Sequence, residues 1–199
     1  TGPYFDANTT ATTITPQQAA AATGKTLTLS ATTGVNNDQG WLTTDVGRIV
    51  KFNGGTAKIT ARTNSTVAVA TIVDAFTNTD ATVAFQLGSF SDTNGFPSSV
   101  SFFEQRLVFS ATNDQPQTIF FSKSGDYENM SAGTNDDDAM VYTIASNQVN
   151  AIKSMKATRT LIVMTTGGEY SVSAGNASAI TPTNISIVKQ SNYGSAGVD

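Results

Sequence analysis

The feature that most constrains this sequence is a two-residue alternation of apolar and polar side chains in short segments that are separated by turn residues. In the clearest case, Leu161 to Thr166 and Glu169 to Ser173 flank the dipeptide Gly167-Gly168. This pattern predicts a β-hairpin with a Gly-Gly turn, in which Val163 lies opposite Val172. One face of the hairpin would then be apolar and is the predicted core face. It comprises Leu161, Val163, Tyr170 and Val172.

The composition favours strands and turns throughout the chain. Thr, Ser and Asn account for 66 of the 199 residues, and Thr alone for 32. Thr is β-branched and suits a pleated, half-buried surface, whereas Ser and Asn compete with helical hydrogen bonds and favour turns. We therefore predict an all-β protein.

Residues 25–73 predict a small barrel or sandwich made of short strands. A strand from Val46 to Phe52 would turn at Asn53-Gly54-Gly55-Thr56 into a second strand from Ala57 to Arg62, because glycine accepts positive φ at both central turn positions. Upstream, residues 15–24 carry a helix start and stop signal, with Thr15 as cap and Gly24 as terminator. The stretch between is mostly alanine without an apolar stripe, so both a short helix and its absence stay open.

The densest turn cluster, Ser91 to Gly95, predicts a boundary between two units, residues 1–92 and 93–199. The first unit would combine a Thr-rich segment with the small barrel or sandwich. The second would be an antiparallel sheet with strands at Val100 to Phe109 and Thr118 to Phe121. Two short sequence blocks resemble each other and begin 53 residues apart, a spacing near the blade length of some β-propellers. They are Arg106-Leu107-Val108-Phe109 and Arg159-Thr160-Leu161-Ile162-Val163.

Residues that are missing exclude several kinds of chemistry. The chain has neither cysteine nor histidine, which excludes disulfides, thiolate zinc sites, cysteine nucleophiles and Ser-His-Asp triads. Its formal charge is −4, and it lacks the clustered basic excess of a nucleic-acid-binding protein. We predict no enzymatic activity, and no catalytic, cofactor-binding or metal-binding residues.

The tripeptide Gly24-Lys25-Thr26 matches the end of a phosphate-binding loop. That motif also needs a glycine at position 19 and a following helix, but position 19 is Ala and a strand is predicted to follow. An ordinary turn before a strand is the preferred interpretation.

Acidic residues form one charge run, Asp136-Asp137-Asp138. Consecutive carboxylates do not have calcium-loop spacing, so we predict a solvated loop or a repulsive surface instead of a cation site. Asp126 with Glu128 is a possible glycosidase pair, but these neighbours would share one polar environment instead of having the contrasting environments that hydrolysis needs. Glu104 and Glu169 have no identifiable partner.

Paired aromatics such as Phe102-Phe103 and Phe120-Phe121 should place one ring on each face of a strand.

Several longer motifs in residues 96–199 resemble the nozzle protein, or tail tubular protein B, of short-tailed bacteriophages. The resemblance covers about half the chain well and residues 41–90, with Asp45-Val46-Gly47-Arg48, more loosely. Its segments are Phe96-Pro97, Ser101 to Phe109, Gln115 to Ile119, Ser122 to Asn129, Asp138-Ala139, Tyr142 to Ile152, Leu161 to Val172 and Thr181 to Ser186.

This resemblance implies a structural protein of the virion tail that is assembled in the bacterial host cytoplasm. Family members combine propeller-like and small inserted β domains, form a homo-oligomeric ring that is usually a hexamer, and join adaptor proteins of the head-to-tail connector. DNA would pass through the ring without specific binding, and Asp136, Asp137 and Asp138 would then face solvent or the channel. Contact with the host surface is a further expectation. Because family members are several times longer, the chain would be a fragment. No cofactor and no catalytic residue is implied.

Two alternatives come from other functional classes. The Thr- and Asn-rich loops and the paired aromatics would also suit a module that binds host-surface glycans. A carbohydrate-cleaving tail enzyme would need a carboxylate pair, which the sequence does not reveal.

Overall fold

The computed structural model describes residues 2–145, 149–175 and 177–196. It is an all-β structure with antiparallel sheets, which confirms the predicted fold class. The chain divides into two compact units. The first unit is Tyr4–Asn94, and the second comprises Gly95–Asp199 together with the segment that ends at Pro3. The division falls inside the turn cluster of Ser91 to Gly95.

The first unit is built on one six-stranded antiparallel sheet that curls into a half-barrel. The strands follow the order β1-β2-β5-β4-β3-β6 across the sheet. They are β1 (Ile14–Pro16), β2 (Ala22–Leu29), β3 (Ile49–Phe52), β4 (Gly55–Arg62), β5 (Val67–Asp74) and β6 (Gln86–Leu87). Alternate residues of β5 are buried, as expected for a sheet with one face on the core. The inner face contacts Trp41, Phe76 and Phe85.

In the first unit the structure decides one question that the sequence left open and corrects one local prediction. The segment at residues 15–24 contains parts of β1 and β2 and no helix, because backbone pairing of Ile14 with Leu29 and Pro16 with Leu27 takes the place of helical hydrogen bonds. The turn between β3 and β4 lies one residue earlier than predicted. Asn53 and Gly54 have the positive φ values, 44° and 74°, and Phe52 pairs with Gly55.

The second unit consists of two four-stranded antiparallel sheets in which each strand pairs with the next along the chain, an arrangement called here a meander. The first meander contains β7 (Ser99–Phe103), β8 (Arg106–Ser110), β9 (Thr118–Phe121) and β10 (Met140–Thr143). The second contains β11 (Ile152–Ala157), β12 (Leu161–Thr165), β13 (Gly168–Ser173) and β14 (Ser186–Ser191). Strands β7 and β11, the first of each meander, lie next to each other.

The similar blocks at Arg106 and Arg159 fall at equivalent places in the two meanders. Arg106 begins β8, and Arg159 lies in the turn just before β12, so both blocks lead into the second strand. Four-stranded antiparallel sheets are the repeating units of β-propellers. The weak sequence repeat therefore corresponds to a repeat of supersecondary structure.

The hairpin between β12 and β13 has the predicted core face but a different register. Val163 pairs with Tyr170, and Leu161 pairs with Val172, two residues away from the predicted pairing. A shift of two residues keeps every side chain on its own face of the sheet, which explains why the predicted face is nevertheless buried. Thr165 pairs with Gly168, and the Thr165 hydroxyl donates to the Gly168 carbonyl at 2.7 Å, which fixes the tighter turn.

The single strand predicted from Val100 to Phe109 is two strands, because Glu104 and Gln105 form a tight turn with φ values of 46° and 59°. Both meanders contribute to one core that includes Phe103, Phe121, Leu161 and Tyr170. Phe102 is 59% exposed while Phe103 is buried, as predicted for neighbouring residues of a strand. Phe120 and Phe121 are both buried.

Candidate functional site

The acidic run lies in the long connection between β9 and β10, where it surrounds a buried arginine. Arg106 begins β8, and its side chain is 2% exposed. Its guanidinium donates to four backbone carbonyls, and no carboxylate of the run is among these acceptors. The acceptors are Ser122 O at 2.8 Å, Asp136 O at 2.7 Å, Asp137 O at 3.3 Å and Asp138 O at 2.6 Å.

This arrangement satisfies the guanidinium without burying a counter-ion. Arginine carries five N–H donors in a planar fork, so one side chain can bind several carbonyls that curve around it. Burial lowers the pKa of Arg106, and the nearby carboxylates of Asp137, Glu104 and Asp138 oppose that shift. The loop backbone is thus shaped by the arginine, which leaves the carboxylates free to point elsewhere.

The three carboxylates lie at or near the surface. Asp136 and Asp137 are exposed, and Asp138 is half-buried. Lys123 Nζ lies 2.9 Å from Asp137 Oδ2 and 3.7 Å from Asp138 Oδ1. The hydrogen bond from Lys123 lowers the pKa of Asp137, and the same contact raises the pKa of Lys123. Asp136 makes no ion pair with any residue that the structure describes. A position facing a channel stays a prediction.

A cavity of about 530 Å³ opens beside this loop within the second unit. Its polar lining includes Glu104, Ser124, Asp136 and Asp137, with Arg106 behind them. The opposite wall is the connection between β13 and β14, residues 177–181, 183 and 184. The two walls are joined where the Ile180 amide donates to Glu104 Oε2 at 2.7 Å.

The structure brings together only some of the acidic residues that the sequence singled out. Glu104 lies in the cavity with Asp136 and Asp137. Asp126 and Glu128 lie on the exposed part of the β9–β10 connection, and Glu169 on β13 accepts a hydrogen bond from the Ser191 hydroxyl at 3.0 Å. No group of three or more metal-ligating side chains converges among residues 2–145, 149–175 and 177–196.

The tripeptide Gly24-Lys25-Thr26 lies inside β2, where Lys25 pairs with Ala70 of β5. A phosphate-binding loop must instead leave successive backbone amides open at the start of a helix. The tripeptide is thus part of a strand, and the predicted turn before a strand is wrong, because β2 already begins at Ala22.

Sequence reasoning missed a buried ion pair in the first unit. Arg48 NH1 lies 2.8 Å from Asp45 Oδ1, and their side chains are 1% and 0% exposed. Asp45 also accepts hydrogen bonds from Asn36 Nδ2, the Leu42 amide and the Thr93 hydroxyl. Arg48 Nε donates to the Gly88 carbonyl at 2.8 Å. The available signal was Asp45-Val46-Gly47-Arg48, whose i, i+3 spacing lets the two side chains meet around a short 3-10 turn.

Within the described parts of the chain, no helix has the length and apolar character that crossing a membrane requires. Comparison with known proteins gives no family and no relative: no family model matches the chain, and no curated protein matches it.

Proposed function

We propose that this chain is part of a tail nozzle, a structural protein that forms the wall of the conduit through which phage DNA leaves the virion. The observation that supports this role is the charge arrangement around Arg106. The cation is buried against backbone carbonyls, whereas Asp136 and Asp137 are exposed. A polyanion that approaches this loop meets exposed carboxylates, and Lys123 of the same loop is already paired with Asp137 and Asp138.

A conduit for DNA must not bind the DNA that passes through it. Affinity for DNA comes mainly from lysine and arginine residues that neutralise phosphates and release counter-ions. Of the 11 basic residues in the chain, Arg48 and Arg106 are buried, and Lys123 is paired with two carboxylates. Arg48 and its buried partner Asp45 cancel each other, so the burial of Arg106 is what removes a cation from the surface without removing a carboxylate, which favours sliding over binding.

The two meanders support the same proposal. A repeated sheet unit with a shared core provides a rigid wall segment from local pairing. In this proposal copies of the protein form a ring in the virion tail, attached to adaptor proteins of the head-to-tail connector. The ring is assembled in the host cytoplasm and has no catalytic role.

The proposal can be tested in virions that carry lysine at positions 136, 137 and 138. We expect DNA ejection to slow at least several-fold at low salt and to recover as salt increases, because the new cations would bind phosphate. A matched control replaces Asp80 and Asp92, two exposed aspartates of the first unit, with lysine. Unchanged ejection kinetics in the triple variant would remove the channel position of this loop. Electron microscopy that finds no ring for the full-length product would overturn the nozzle role itself.

A further inference from the structure

The two meanders of the second unit carry opposite charges. Residues 95–145, which contain the first meander, include seven acidic and two basic residues, so their formal charge is −5. Residues 149–196, which contain the second meander, include one acidic and four basic residues, so their formal charge is +3. The unit therefore presents an acidic and a basic part to a molecule that approaches it, although the formal charge of the whole chain is only −4.

The first meander has an apolar face on the side opposite to the core that it shares with the second meander. We call this side of either meander its outer face. Residues that pair directly across the strands share a face, so one row of the first sheet lies on the outer face. The row consists of Val100, Phe109, Phe120 and Val141. Phe120 is buried, whereas Val100 on β7 is 57% exposed, so the free part of this face lies at β7.

Phe102 extends the free part of the first outer face. It lies two residues after Val100 on β7 and is 59% exposed. Its ring meets that of Tyr127 edge to face, with 5.3 Å between the ring centroids, and Tyr127 is 46% exposed. Asp126 and Glu128, the sequence neighbours of Tyr127, are exposed as well. An exposed apolar patch is thus bordered by two carboxylates.

The outer face of the second meander combines apolar side chains with cations. One row across its four strands consists of Lys156, Ile162, Ser171 and Val188. Val188 is 49% exposed. Lys153 and Arg159, three residues before and after the exposed Lys156, are exposed too, and none of these three cations makes an ion pair with a residue that the structure describes. The single carboxylate of this meander, Glu169, accepts a hydrogen bond from a serine hydroxyl.

We propose that copies of this chain associate head to tail, with the outer face of the first meander of one copy packed on the outer face of the second meander of the next copy. Charge selects this arrangement. Contact between two first meanders, or between two second meanders, brings like charges together, whereas a first meander on a second meander pairs opposite charges. Exposed ion pairs add little affinity and mainly set orientation, so apolar contact around Phe102 and Val188 supplies the affinity.

The proposed contact repeats between chains what already occurs within one chain, where side chains of both meanders share one core. A head-to-tail contact leaves one outer face free at each end, so it continues until a ring closes or a filament grows. Closure into a ring rests on the proposed nozzle role, whereas the contact itself is tested on this chain.

Sedimentation velocity of the chain at increasing concentration measures the contact. We expect the mean sedimentation coefficient to rise with concentration at low salt. Association should weaken roughly tenfold between about 50 mM and about 500 mM salt, because salt screens exposed charges.

Two single variants test the two faces separately. Phe102→Ser and Val188→Ser each remove one exposed apolar side chain, from the first and the second outer face respectively. Each variant alone should associate at least about fivefold more weakly. Val73→Ser, at an equally exposed valine on β5 of the first unit, should associate like the unsubstituted chain. An equimolar mixture of Phe102→Ser and Val188→Ser keeps one intact pair of faces, so it should form dimers and no larger species.

Charge reversal gives a second test. The double variant Asp126→Lys and Glu128→Lys, and the double variant Lys153→Glu and Lys156→Glu, should each associate at least about fivefold more weakly at low salt. A mixture of the two double variants should associate again, because the reversed face of one variant then meets the reversed face of the other. Lys58→Glu, at an exposed lysine of the first unit, should change nothing.

No association of the chain at about 1 mM and low salt would overturn the proposal. So would unchanged association of Val188→Ser, which would indicate contact between two first meanders instead. A ring of the full-length product together with no association of this chain would remove the contact and leave the nozzle role. Association of this chain without a ring of the full-length product would do the reverse.

Discussion

Each unit of this chain buries one arginine, and the two units neutralise it in different ways. In the first unit Arg48 meets the carboxylate of Asp45, and both side chains are inaccessible to solvent. In the second unit Arg106 is equally buried, but its acceptors are backbone carbonyls of the β9–β10 connection. The first solution hides both charges inside, whereas the second hides the cation and leaves carboxylates at the surface.

This difference in how the two arginines are neutralised decides whether charged side chains remain at the surface. A buried ion pair cancels itself and adds nothing to the surface, so its effect is structural. A guanidinium bound by carbonyls shapes a loop while leaving the loop's own side chains free. Asp136 is an example of the second arrangement, since its carbonyl accepts a hydrogen bond from Arg106 while the residue is exposed and lines the cavity.

The largest expected effect comes from breaking the first arrangement. Asp45→Asn should lower the free energy of unfolding of the first unit by about 3–5 kcal/mol, because it leaves the buried Arg48 without a counter-ion. Urea denaturation followed by fluorescence measures this directly, since Trp41 is the only tryptophan and is fully buried in that unit. The exposed Asp92→Asn variant serves as control. A loss below about 1 kcal/mol would show that the pair is not needed for stability.

The second arrangement should be somewhat less costly to break. Arg106→Met keeps the apolar stem but removes every donor to the loop carbonyls, and we expect a loss of about 2–3 kcal/mol in the second unit. Faster hydrogen exchange at the Ser124 amide, which donates to Asp137, would report the loosened loop. Arg106→Lys should be intermediate, because an ammonium group lacks the planar fork. An unchanged Trp41 transition would show that the damage is local. An Arg106→Lys variant as stable as the unsubstituted protein would contradict the role of the fork.

A smaller effect is expected when only the surface charges change. Replacing Asp136, Asp137 and Asp138 with asparagine changes the formal charge from −4 to −1. Because the carbonyls that bind Arg106 remain, the free energy of unfolding should stay within the error of denaturant extrapolation. Electrophoretic mobility should nevertheless fall. A large loss of stability would mean that the carboxylates, and not the carbonyls, compensate Arg106.

The smallest effect concerns pH. The lowered pKa of Asp137 means that its contact with Lys123 stabilises the fold above the ordinary aspartate range, about pH 3.9, and that this contribution is lost as the pH falls through the lowered pKa. The raised pKa of Lys123 has the opposite sign, so its contribution is present below the ordinary lysine range and is lost as the pH rises through the raised pKa.

Carboxyl NMR titration of the Lys123→Met variant provides the measurement. The pKa of Asp137 should rise toward its ordinary value, because the hydrogen bond from the ammonium group is gone. If the pKa of Asp137 does not move, the contact with Lys123 is not what lowers it.

The sequence predicted much of the fold because side-chain period is a local property. The buried face of β12 and β13 follows from alternation alone, whereas the pairing of Val163 with Tyr170 depends on which turn closes the hairpin. The tight turn at Glu104 and Gln105 was missed for a related reason, since neither residue is a usual turn former, and the pairing of β7 with β8 supplies the stabilisation.

The candidate site was only partly predictable. The all-β class follows from alternation and composition, and the acidic loop follows from the run at 136–138. Both inferences use only residues that are neighbours in the sequence. Only the tertiary structure decided that carbonyls of that loop bind Arg106, 30 residues before Asp136, and that Glu104 lines the same cavity as Asp136. Contacts between residues far apart in sequence depend on how strands pair and pack, and the free energy of those contacts is shared among many residues that no local pattern records.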